Sequence, residues 1–133
     1  MYRMKKPADA YRKAASATQS PDRALIAAYD QCVTALVQSR DAMKEEVVDS
    51  SVVGHGVGVA HQVLFVLCGA LDHEVYPEFS ARMEQTYLGL GQSLTQAHMQ
   101  NDVDGLTQVI DIINALRESW QDAVREKSKH NLD

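Results

Sequence analysis

The chain has 133 residues, 45% apolar and 23% charged, which is the size and composition of one domain around one core and not the charge-rich, apolar-poor signature of disorder. A formal charge of −5 argues against a nucleic-acid surface, which needs Lys and Arg massed on one face. No apolar stretch follows the basic start at Arg3, Lys5, Lys6, Arg12 and Lys13 to make a signal peptide, and the longest apolar run, Val63–Leu71, is short of the roughly twenty residues of a membrane span, so a cytoplasmic protein with reduced thiols at Cys32 and Cys68 is expected.

Residues 1–20 are expected to form a cap segment or short helix ahead of the main fold. The first strong boundary is Ser20-Pro21-Asp22, where Ser can cap, Pro sits harmlessly in the first turn and Asp meets the positive helix end. Leu25, Ile26, Tyr29, Cys32, Val33, Leu36, Val37, Met43 and Val47 then recur at three- and four-residue steps, which predicts one long helix with one buried face. Asp49, Ser50, Ser51, Gly54, Gly56 and Gly58 oppose helix, and a break is predicted near 48–56.

A second helix is predicted over about 57–73, with Ala60, Val63, Leu64, Leu67 and Leu71 on one face. Tyr76-Pro77 is expected to stop it and start a third, over about 77–100, with Phe79, Met83, Tyr87, Leu90, Leu94 and Ala97 inward. Asn101-Asp102 offers a cap for a fourth helix carrying Leu106, Val109, Ile110, Ile113, Leu116, Trp120 and Val124. From Arg125 the chain reads as a frayed polar tail. Short connections force neighbouring helices to alternate in direction. The expected fold is therefore an all-α, antiparallel up-down bundle of four long helices at 21–127, with the cap segment at 1–20 and the tail at 128–133.

The sequence offers little chemistry. The residues three before His61, His73 and His98 are Gly58, Ala70 and Thr95, so the Glu-x-x-His motif of di-iron bundles is missing. His61 and Cys68 could share a helix face, but two ligands do not close a metal site. Cys32 lies in an apolar stripe where burial raises a thiol pKa, and Gly54, Gly56 and Gly58 lack the strand and GK[ST] context of a phosphate loop. No catalytic residue, metal or cofactor is predicted. What remains is surplus apolar surface: Phe65 and Cys68 to one side of the second helix's main stripe, Val59 and Val66 to the other, with Leu88 and Ile112 similarly off-face. Either this helix is the most enclosed of the bundle, or these residues line a groove for an amphipathic segment of another protein.

Ala10-Tyr11, Thr18-Gln19-Ser20-Pro21, Leu25-Ile26 and Tyr29-Asp30 resemble, at matching spacing, the start of the flagellin export chaperone family. Leu71-Asp72 is similar to its mid-chain pair. Ala97, Asp102, Leu106, Val109, Leu116-Arg117 and Trp120 stand where that family has its C-terminal motif positions. Departures fall at Gln31, where the family commonly has Gly, at Tyr76-Pro77 in place of Gly-Gly, and at Arg82 and His98 in place of Asn.

The resemblance implies a cytoplasmic four-helix chaperone that binds the disordered C-terminal segment of flagellin, keeps it unpolymerised and holds it competent for flagellar type III secretion. Expected partners are that segment, the flagellar export apparatus and, as a further candidate, a second copy of the chain. The expected client contacts are Tyr11, Phe65, Val66, Leu88 and Ile112. Tyr11 would lie over the groove or simply anchor a short N-terminal helix. The alternative is a divergent paralogue that acts as a helical adaptor for another export protein or self-associates through the second helix.

Overall fold

The structure, a computed structural model, describes the backbone of residues 21–132 and side chains within 23–126. Among these, four helices run in order: α1 (Pro21–Met43), α2 (Ser50–Gly69), α3 (Pro77–Met99) and α4 (Val103–Leu132). No strand occurs among the described residues, so the all-α expectation holds.

Cross-helix contacts fix the directions. Ser39 and Ala35 of α1 meet Val53 and Gly56 of α2 in reverse order. Asp30 and Arg40 of α1 likewise meet Arg117 and Thr107 of α4. His61 of α2 meets Thr95 of α3, and Phe79 of α3 packs edge-on to Trp120 of α4 at 5.7 Å. A second contact in each of these last two pairs comes in reverse order, Cys68 near Glu84 and Ala97 beside Gly105, so each neighbouring pair runs antiparallel, giving an up-down bundle.

The predicted stripes form its core. Tyr29, Cys32 and Leu36 of α1, Tyr87 and Leu94 of α3, and Leu106, Val109 and Ile113 of α4 are all but inaccessible to solvent. A polar chain crosses this core: the Tyr29 and Tyr87 hydroxyls share a hydrogen bond of 2.6 Å, and the Trp120 indole N–H donates to the Tyr29 hydroxyl at 2.9 Å. It ties α1, α3 and α4 together at one level, as buried polar groups require partners.

Helix α2 departs from expectation at both ends. It begins at Ser50, not near 57, with the Asp49 carboxylate accepting the Ser51 N–H at 3.0 Å as a cap. Those bonds, led by the one from the Ser51 hydroxyl, hold the Asp49 pKa below the usual carboxylate value. The glycines are inside the helix because one of them is needed there. A Cβ on Gly56 would stand 2.1 Å from Ser39 Oγ and 2.3 Å from the Ala35 carbonyl oxygen, so only glycine lets α1 and α2 approach this closely. Ser39 Oγ, itself buried, donates to the Val53 carbonyl at 2.8 Å across the same crossing. Val47, predicted to extend the α1 stripe, lies past the end of that helix and is 86% exposed.

At its other end α2 stops at Gly69, well before Tyr76-Pro77. The intervening loop is organised by Asp72, whose Oδ1 accepts the N–H groups of Glu74 and Val75 and whose carbonyl accepts the Ser80 hydroxyl. Its earlier start makes α2 long and apolar enough to span a membrane by length and composition, although it packs here between α1 and α3. Helix α4 continues to Leu132, through the segment expected to fray. Between α3 and α4, Asn101 takes a left-handed φ of 52°. The N–H groups of Asp102 and Asn101 return to the carbonyls of Ala97 and His98, a Schellman turn, and Asp102 then caps α4 by accepting the Gly105 N–H.

Candidate functional site: an apolar groove between α2 and α3

Two adjacent helices of an up-down bundle enclose a core on one side and leave a valley on the other. Between α2 and α3 that valley opens into a groove of about 860 Å³. Helix α2 supplies His61, Leu64, Phe65 and Cys68, which recur at helical spacing and so share one wall. Helix α3 supplies Glu84, Leu88, Gly91, Gln92, Thr95 and Met99, a stripe one step around from the buried Tyr87, Leu90, Leu94 and Ala97. Glu84 and Gln100 mark its two ends on α3, sixteen residues apart and hence about 24 Å along the axis.

The walls are apolar where they are largest. Phe65 is 78% exposed and Met99 81%, so two bulky side chains face solvent across the groove with no core to cover them. A Cβ on Gly91 would reach only ordinary contact with the His61 ring, 3.8 Å from Nδ1. His61 lies over this glycine and is fixed by Thr95, whose Oγ1 is 3.1 Å from Nε2 and donates to the Gly91 carbonyl. Burial, aided by the nearby charge of His98, lowers the His61 pKa below its ordinary value.

Electrostatics argue against reactivity. Burial pushes the Cys68 thiol upward, and the Glu84 carboxylate adds to that; Glu84 itself lies 3.6 Å from His73 Nε2. Cys32 is fully buried in the core with its pKa pushed up to about 12, so neither thiol is poised as a nucleophile. No group of three or more His, Cys, Asp and Glu gathers among the described residues in a way that could hold a metal.

Among the residues predicted as client contacts, Phe65 and Leu88 stand on opposite walls of this groove. Ile112 lines a separate, smaller depression of about 250 Å³ between α3 and α4. The two are linked, since Gln96 and Gln100 border both. Val66 lines neither and points outward from α2, 60% exposed. Tyr11 lies outside the described residues. Sequence reasoning missed Met99, His61, Gly91 and the glutamines of α3. The available signal was the second stripe of α3 at 84, 88, 91/92, 95 and 99, parallel to its core stripe.

The family model of the flagellar protein FliS matches residues 4–127. The chain belongs to the FliS family. The flagellar secretion chaperone FliS of Vibrio cholerae is 27% identical to it over 127 residues, which cover 92% of this chain and 90% of that protein. The motif positions that resemble this family have structural duties in the described fold. Tyr29 and Trp120 belong to the buried hydrogen-bonded chain, Asp30 and Arg117 pair with each other across α1 and α4, and Asp72 and Asp102 organise the two ends of α3. Leu25, Leu71, Ala97, Leu106 and Val109 are core, with Ile26 and Leu116 packed against it. These positions hold the bundle together, whereas Phe65, Leu88 and Met99 are exposed on the groove walls.

Proposed function

We propose that this chain is a cytoplasmic flagellar export chaperone without catalytic activity, which binds the C-terminal segment of flagellin along the α2–α3 groove. Membership of the FliS family and the likeness to a flagellar secretion chaperone support the general role. The observation that carries the site is the open groove itself, flanked by the exposed Phe65 and Met99. A groove about 24 Å long, with Leu64, Phe65, Leu88 and Met99 among its walls, matches roughly sixteen residues of helix, and an amphipathic helix laid in a groove is a recurring way to take a partner segment.

The mechanism is coupled folding and binding. A disordered flagellin terminus orders as an amphipathic helix in the groove, and burial of its apolar face offsets the ordering entropy. While held, that face is unavailable for polymerisation, and its release to the flagellar export apparatus restores a disordered chain for secretion. Tyr11, on this reading, belongs to a cover formed by the first twenty residues that the client displaces.

Light scattering of flagellin under polymerising conditions tests the role. Equimolar protein is expected to suppress filament growth; unchanged growth at tenfold excess would refute it. One observation favours a second reading, because Val52 and Val66 are exposed on α2 away from the groove. Self-association or an adaptor contact through that face would appear in size-exclusion with light scattering as a mass above the monomer or a complex that survives loss of the groove.

A further inference from the structure

The α3 wall of the groove is not apolar throughout: Gln92, Gln96 and Gln100 follow one another at intervals of four along the same face. All three are exposed, and none has a side-chain hydrogen bond to another described residue. Thr95 sits among them with its proton directed to the Gly91 carbonyl and its Oγ1 3.1 Å from His61 Nε2. Among the described residues Glu84, at the far end, is the sole carboxylate or Lys/Arg side chain lining the groove.

From this arrangement we infer that the three glutamines form an amide ladder that selects a helical segment carrying carboxamide or hydroxyl side chains at i, i+4 and i+8 beside its apolar face. The inference deepens, and rests on, the proposed binding of a helical client in this groove. A partner that covers the groove removes water from three amides at once. Each buried amide left without a partner costs about 1–3 kcal/mol, so a purely aliphatic flank is penalised. A charged flank fares worse along most of the length, since the groove offers no counter-charge except at Glu84. Side chains of Asn, Gln and Ser donate and accept at once, as the glutamines do, and i, i+4, i+8 spacing on an antiparallel or parallel partner helix keeps pace with the ladder. Gln96 and Gln100 also border the α3–α4 depression, so the upper rungs remain accessible from either side of α3.

The test uses the full chain and two synthetic eighteen-residue helical peptides with one shared Leu/Ala face. Their flanks at i, i+4 and i+8 carry Gln and Asn in one and Glu and Lys in the other. Wild type is expected to bind the amide peptide at least tenfold more tightly, and Q92L/Q96L, matched to it in melting temperature, to lose that preference. Equal affinity of the wild type for both peptides overturns the ladder, as does an unchanged preference in the variant or failure to bind either peptide. A parallel titration with the flagellin C-terminal segment separates the two claims. Binding of that segment without discrimination between the peptides defeats the ladder alone, and absence of that binding with intact discrimination defeats the flagellin assignment alone.

Discussion

Tyr29 shows how a single side chain can join three helices. Its hydroxyl meets Tyr87 from α3 and the Trp120 indole from α4 within the core, so Tyr29→Phe keeps the ring and its packing while removing both bonds. A loss of about 1–3 kcal/mol is expected in urea denaturation, with helical circular dichroism unchanged. His61 offers a pH handle. Because its folded-state pKa lies below the ordinary value near 6.5, the folded state binds fewer protons than the unfolded one. The stability it contributes is therefore present above about pH 6.5 and is lost as pH falls through the depressed folded value. A client that covers His61 deepens this desolvation. Affinity for the flagellin segment is expected to weaken between about pH 7.5 and about pH 5.5, and His61→Gln to flatten that dependence; an unaltered slope in the variant would place the titration elsewhere.

At the scale of helices, periodicity located all four elements, because a buried face leaves a 3.6-residue trace regardless of context, and end signals located the starts at Pro21 and Pro77 and the cap at Asp102. It failed at α2. Glycine propensity argues for a break at Gly54, Gly56 and Gly58, yet the close crossing against Ala35 and Ser39 keeps the helix intact, a tertiary demand invisible to local rules. Gly56 and Gly58 should consequently respond in opposite directions to alanine. Gly56→Ala is expected to destabilise by about 1–3 kcal/mol through overpacking, despite alanine's better helix propensity. Gly58→Ala, with nothing within 4 Å of the added methyl, should stabilise by up to about 1 kcal/mol. Thermal and urea unfolding of the pair check both signs. The expected fraying from Arg125 differs from the structure for a related reason: polar composition there does not prevent the backbone from continuing α4 to Leu132.

For the whole molecule, sequence separated core from surplus but could not assemble the surplus. Phe65 and Leu88 are legible as off-face residues; that they confront each other, while Ile112 falls in another depression and Val66 faces away, depends on helix rotation and crossing. Met99 escaped notice because it closes α3, where the apolar stripe ends. The core residues hold the bundle together, whereas Phe65, Leu88 and Met99 on the groove walls are exposed. Binding and stability are then separable, which is the property that tests the account. Isothermal titration of the full chain with the disordered C-terminal peptide of flagellin, for wild type and Phe65→Asp, is the direct measurement. The account predicts wild-type binding with negative ΔCp, at least a tenfold loss in the variant, and the same melting temperature for both proteins, since Phe65 is mostly exposed. Equal affinity in a folded Phe65→Asp variant would contradict the placement of the client in the α2–α3 groove.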